Sequence, residues 1–198
     1  MNQADYDVIE LVERLVYVES QVLYPYYNST RTAQKHLKAL VDKKILKRQM
    51  IRRKGIEVGY LYCLYHTKLN KQVEHTSYTA LLIAIAESNQ AGAVRDVFYE
   101  KVLYKGDTLH KGIRCDAIIY YKSNGRYYIF ETQLCNVDVS EKLYNYSRFV
   151  KTKEFREMFP ERNAELCIIT DQRVPDLNIG IPYAVFTLND VLEGWECH

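Results

Sequence analysis

Residues 114 to 133 read RCDAIIYYKSNGRYYIFETQ. Two runs rich in β-branched and aromatic residues flank Asn124-Gly125, a dipeptide that readily takes the positive φ angles of a type I′ turn, so the segment predicts a β-hairpin. With Asn124 and Gly125 as a two-residue loop, Lys122 pairs with Tyr127, Tyr120 with Ile129, Ile118 with Glu131 and Asp116 with Gln133. Opposed residues share a face, as do residues two apart along a strand. Asp116, Glu131 and Gln133 are therefore expected on one face, at the end of the hairpin away from the turn. Carboxylates are rare within strands this apolar, so both acids call for a reason.

Working outward, the strand VRDVFYEKVLY is expected before the hairpin, and before that the largely apolar helix SYTALLIAIAESN. After the hairpin, Ser140 is placed to cap a helix running to about Phe159, with Leu143, Tyr146, Phe149 and Val150 on one side. ELCIIT and PYAVFTL read as short strands, and a last helix is expected near Asn189 to Trp195. This order predicts an α/β (α+β) sandwich around a mixed sheet over residues 74–198.

An Asp on one strand and a Glu-x-Lys-like triplet at the end of the next resembles the core of the PD-(D/E)XK nuclease superfamily. CDAIIYY, YYIFETQ and EKLYNYSRF are, more narrowly, similar to the replication-relaxation family of mobile-element proteins, which places a winged helix before a nuclease-like domain. The resemblance implies two acids holding Mg²⁺ or Mn²⁺ and a lysine assisting the attacking water. Asp116 and Glu131 fall on the metal-ligand positions, and Glu87 or Glu100 is the candidate third acid. The lysine position carries Gln133, which is neither a cation nor a proton acceptor, and Lys142 on the following helix is its candidate substitute. Glu131-Thr132-Gln133 also departs from the acid, variable residue, acid pattern of the replication-relaxation proteins, which argues for a domain that binds without cutting.

The first third of the chain has a different character. Residues 1–75 hold 13 Lys and Arg against 8 Asp and Glu, whereas the whole chain has a net charge of only +2. Apolar residues recur at helical spacing from Ala4 to Tyr17, Glu19-Ser20 opens a short helix limited by Pro25, and Asn28-Ser29-Thr30 supplies cap chemistry for a third helix burying Ala33, Leu37, Leu40 and Val41. ILKRQMIRR, a Lys54-Gly55 turn and IEVGYLYCLY then read as a two-stranded ribbon. Three helices and a basic ribbon outline a winged helix-turn-helix over residues 1–68. Residues 31–54 contain ten Lys or Arg and one acid, Asp42. Arg31, Gln34, Lys35 and Lys38 are the expected major-groove contacts. Lys47, Arg48, Arg52, Arg53 and Lys54 are the expected backbone contacts; about five phosphate contacts give a log-log salt slope near −4.5.

Composition excludes other classes. The longest apolar run, Ala80 to Ala86, is far short of the roughly 20 residues that span a bilayer, so no membrane partner is expected. The N-terminus lacks a basic stretch leading into a hydrophobic one, and the odd set of Cys63, Cys115, Cys135, Cys167 and Cys197 has no paired spacing, which reads as a reducing cytoplasm. His36, His66, His75, His110 and His198 show no metal-ligand spacing, and no Walker loop, GxGxxG or GxSxG element occurs. The 18 tyrosines are read as core filling before base stacking. The expectation is a DNA-binding protein of a plasmid, conjugative element or phage acting in replication or DNA processing. Its partner would be double-stranded DNA, and its second domain an interaction or homodimerisation platform. The alternatives are a metal-dependent endonuclease using Asp116, Glu131, Gln133 and Lys142, and a phage- or plasmid-encoded inhibitor of a host protein.

Overall fold

A computed structural model describes residues 1–68, 72–106, 111–134, 139–160 and 163–196. Cys135, Cys197, His110 and His198 lie outside the described residues. The architecture is mixed α+β, with helices flanking multi-stranded sheets, and it divides into two compact units, Met1–Asn89 and Gln90–His198. The sequence draws a boundary between 68 and 74; the structure divides after Asn89 instead, because the helix Val73–Asn89 packs on the sheet of the first unit.

In the first unit, α1 (Gln3–Leu15) begins with a reciprocal capping box: Asn2 Oδ1 accepts from the Asp5 amide and Asp5 Oδ2 accepts from the Asn2 amide, each at 3.0 Å. A two-residue strand β1 (Val18–Glu19), a short helix α2 (Ser20–Leu23) and a 3-10 turn (Tyr24–Tyr26) lead into α3 (Thr30–Asp42). Ser29 caps α3, its Oγ accepting from the Thr32 amide at 3.2 Å. Ala33, Leu37 and Leu40 are buried on the inner side of α3. Strands β2 (Leu46–Arg53) and β3 (Ile56–Leu64) follow as a hairpin, and the sheet order is β1-β3-β2. Lys54 (φ 51°) and Gly55 (φ 81°) form the loop, the pair of positive φ angles that a type I′ connection demands. Helix α4 (Val73–Asn89) completes the unit.

The second unit is built on a five-stranded sheet of order β10-β9-β8-β7-β4. Its strands are β4 (Val94–Tyr99), β7 (Ala117–Tyr121), β8 (Arg126–Gln133), β9 (Ala164–Thr170) and β10 (Tyr183–Phe186). The first three run antiparallel, and β8-β9 and β9-β10 are parallel. The expected strand 94–104 is divided: β5 (Val102–Gly106) leaves the sheet and pairs with β6 (Lys111–Arg114) as a separate ribbon. The turn into that ribbon sits at Glu100, whose φ of 51° ends β4. The expected helix 140–159 is likewise two, α5 (Val139–Phe149) and α6 (Lys153–Met158), because Thr152 Oγ1 caps a fresh start by accepting from the Phe155 amide at 3.1 Å. The chain closes with α7 (Leu188–Glu196). Leu143, Tyr146, Phe149 and Phe155 of the two helices pack on Ile118, Ile129, Leu166 and Ile168 of the sheet, all at 6% exposure or less.

The central hairpin is real but its register differs from the expected one. Tyr121 faces Arg126 and Ile118 faces Ile129, so the loop is the four residues Lys122 to Gly125. Only Gly125 takes a positive φ (66°). Asn124 uses its side chain instead, its Oδ1 accepting from the Arg126 amide at 3.0 Å and its Nδ2 donating to the Tyr128 hydroxyl at 2.8 Å. The slip is two residues, an even number, so each side chain keeps its face.

Candidate functional site

Asp116 and Glu131 come together on the helix-covered face of the second sheet. Strand β7 stops at Ala117, where the chain turns away: the Glu100 amide donates to the Asp116 carbonyl at 2.9 Å and the Cys115 amide to the Lys101 carbonyl at 3.0 Å. That departure would leave the Thr132 amide of β8 without a ladder partner. The Asp116 carboxylate takes that place, its Oδ2 accepting from the Thr132 amide at 2.6 Å. Asp116 thus extends the sheet by one bond with its side chain.

Glu131 lies deeper. It is 1% exposed, and both carboxylate oxygens accept from α5: Oε2 from Lys142 Nζ at 2.7 Å and Oε1 from the Tyr146 hydroxyl at 2.6 Å. Lys142 and Tyr146 stand four residues apart, which puts them one above the other on a single helix face. Burial pushes Glu131 up to about 7, against the pull of Lys142 and with a push from Asp116. Burial works against charge on Lys142, yet the Glu131 carboxylate holds its ammonium above the ordinary lysine range. Burial and the same carboxylate raise the Tyr146 phenol well above its usual value. Neighbouring Cys115 is fully buried and its thiol is pushed far up by burial, then by Glu131 and Asp116, which favours the protonated form.

Of the residues expected to act with these acids, Lys142 joins Glu131 directly. Gln133 lies two residues further along β8, opposite Thr170, half-buried, its carbonyl accepting from the Thr170 hydroxyl at 3.1 Å. Glu87 belongs to the first unit, where Arg14 engages its carboxylate. Glu100 is exposed beside Asp116 through its backbone. Tyr146 was legible in the sequence only as an apolar-face residue of the helix; its spacing from Lys142 was the available signal. Each Glu131 oxygen already accepts one donor from α5, so a Mg²⁺ or Mn²⁺ ion at this carboxylate would have to compete with Lys142 and Tyr146. Among the described residues no group of three or more His, Cys, Asp or Glu is placed to hold a metal.

In the first unit, Arg31, Gln34, Lys35 and Lys38 are exposed on the outer side of α3. Among the described residues, none of these side chains has a hydrogen-bond or ion-pair partner. Two interactions orient that helix from behind. Asp5 Oδ1 accepts from the Tyr27 hydroxyl at 3.1 Å and bonds His36 Nδ1 at 2.9 Å, tying α1 to α3. Burial works against charge on Asp5, but bonds from Asn2, His36 and Tyr27 hold its carboxyl below the usual range.

The ribbon residues divide. Lys47 is half-buried, and Arg48 and Lys54 are exposed. The Arg48 guanidinium lies over the Tyr60 ring, 4.2 Å from its centroid, and Arg52 pairs across the hairpin with Glu57 at 2.8 Å. Arg53 is not at the surface as expected. Its side chain is 10% exposed and bonds Glu19 of β1, donates to Ser77 of α4 at 3.2 Å and lies over the Tyr78 ring. The reason is strand alternation: Arg53 is two residues from buried Ile51 and shares its inward face. Burial pushes Glu19 up to about 7 despite this arginine.

No family model matches the sequence, and no curated protein matches it. A solved structure, the crystal structure of protein VC1899 from Vibrio cholerae, matches with 11% identity and a TM-score of 0.41, over 98% of this chain and 48% of that one. The chain thus spans about half the length of that protein. Among the described residues no helix is long and apolar enough to cross a membrane.

Proposed function

We infer that this protein binds double-stranded DNA through its first unit, acting as a winged helix-turn-helix module. The second unit, a PD-(D/E)XK-like domain, serves as an interaction or dimerisation platform. The observation that carries the reading is the outer side of α3, where three cations and an amide stand exposed without intramolecular partners. Cations are normally placed among opposite charges on a mixed surface; an unneutralised row is suited to phosphates and base edges. The order α1, β1, α2, α3, β2, β3 and the β1-β3-β2 sheet support the winged-helix assignment. Arg48, Arg52 and Lys54 remain as ribbon contacts to phosphate, while Arg53 is withdrawn from that set because it is spent on Glu19. The motif resemblance to replication-relaxation proteins points to replication or DNA processing on a plasmid, conjugative element or phage.

Fluorescence anisotropy of the full chain on duplex DNA at several salt concentrations tests this. Affinity falls with a log-log slope of about −4 for four to five phosphate contacts. The double variant R31E/K35E loses binding at every salt concentration. Salt-independent affinity, or binding that survives both charge reversals, overturns the reading.

A second reading, a metal-dependent endonuclease, is favoured by the approach of Asp116, Glu131 and Lys142 on one sheet face. It requires Lys142 and Tyr146 to release Glu131. Nicking of supercoiled DNA in Mn²⁺ that D116A abolishes would establish it; protein inert on supercoiled, linear and single-stranded DNA excludes it.

A further inference from the structure

The first unit contains five arginines, Arg14, Arg31, Arg48, Arg52 and Arg53. Four are engaged within the chain: Arg14 by Glu87, Arg48 by the Tyr60 ring, Arg52 by Glu57 and Arg53 by Glu19. Arg31 is the exception among the described residues, its guanidinium exposed and uncommitted. One turn further on, Gln34 is the exposed uncharged amide of the same stripe, also uncommitted, with Lys35 and Lys38 beside it. Both lie in the first turns of α3, counted from the Ser29 cap, the part of a recognition helix that enters a groove.

The two side chains have different chemistry from the lysines around them. A guanidinium presents two parallel donors and matches the O6 and N7 acceptors of guanine, whereas a carboxamide presents one donor and one acceptor and matches N7 and N6 of adenine. An ammonium is a point charge and suits phosphate. Three residues of helix rise about 4.5 Å, and base pairs stack at about 3.4 Å, so two neighbouring side chains of this stripe reach adjacent or next-but-one base pairs. Resting on the DNA-binding reading above, we propose that Arg31 and Gln34 are the specificity-determining residues. The recognised duplex then carries a guanine and an adenine within two base pairs of each other, read by Arg31 and Gln34 respectively, with Lys35 and Lys38 holding the flanking phosphates.

Selection of binding sites by the full-length chain from a random duplex library, repeated with R31A and Q34A, tests this. Wild-type protein enriches a site with guanine and adenine at that separation. Q34A loses discrimination at the adenine by about 5- to 150-fold and R31A does so at the guanine, each keeping preference at the other base. Q34A leaves the salt slope unchanged, whereas K38A weakens all duplexes equally and makes the slope shallower by about 0.9. Both residues are exposed and partnerless, so the variants keep the wild-type circular dichroism spectrum. Binding without base preference, or a Q34A site identical to wild type, overturns the assignment while leaving DNA binding intact. Absence of wild-type binding at any salt concentration overturns the underlying reading, and this inference with it.

Discussion

The ammonium of Lys142 stands 2.7 Å from Oε2 of Glu131, a carboxylate 1% exposed at the centre of the second unit's sheet. The lysine reaches in from α5 and is itself 36% exposed, so one end of the pair is wet and the other dry. Removing the cation leaves a buried carboxylate with one donor. K142M is expected to destabilise the second unit by about 2 kcal/mol, between the values for exposed and fully buried pairs. Y146F removes the other donor and costs about 1.5 to 3 kcal/mol. Urea unfolding followed by circular dichroism measures both, and a double mutant close to the sum of the singles would show that the two donors act independently.

Stability should respond to pH in a direction opposite to that of an ordinary paired carboxylate. Glu131 and Glu19 are each lifted from 4.5 to about 7, first of all by burial. Between those pH values the folded protein retains protons that the unfolded chain has released. Their contribution is fully present below about pH 4.5 and is lost as pH rises through 7. Urea midpoints measured from pH 4.5 to 7.5 are expected to fall. E131Q flattens the slope for the second unit and E19Q for the first.

The two neighbouring arginines at the end of β2 should behave as opposites. Arg53 is 10% exposed and closes a cluster of Glu19, Ser77 and Tyr78, so R53A strands a buried carboxylate and costs about 3 to 5 kcal/mol. Arg52 and Glu57 are 65% and 53% exposed, so R52A changes stability by less than about 1 kcal/mol. Thermal unfolding of the two variants tests the contrast, and only R52A is expected to fold well enough to test the proposed contact of the ribbon with DNA.

Gly59 provides a backbone test of the first unit. Its φ is 148°, and a Cβ there would meet Ser20 Oγ at 2.6 Å. The same hydroxyl accepts from the Tyr60 amide at 3.2 Å, so it has reason to stay. G59A is expected to cost about 1 to 3 kcal/mol, read from the urea midpoint, and G59A/S20A to recover part of that by removing the clash.

Much of the element order was legible because it rests on local signals. Ser29 before a run with Ala33, Leu37 and Leu40, and Lys54-Gly55 between two alternating runs, state their structure through cap chemistry, spacing and turn geometry. The face shared by Asp116 and Glu131 was legible for the same reason, since side-chain alternation survives an even slip in register. The loop itself was misread: Asn124-Gly125 has the composition of a type I′ turn, but Asn124 satisfies the Arg126 amide with its side chain and the loop widens to four residues.

What the sequence settled alone was periodicity within single elements: that Leu37, Leu40, Leu143 and Tyr146 face inward, that a helix starts after Ser29, and that a basic segment precedes an apolar mixed one. Tertiary structure decided which charges are left over. Arg31 and Arg53 look alike in a list of basic residues, yet one is bare and the other lies against Glu19, because a partner 34 residues away meets it only once β1 joins the sheet. Lys142 and Tyr146 likewise acquire their roles only when α5 lies over β8, since a carboxylate's burial and its donors are properties of packing between elements distant in the chain.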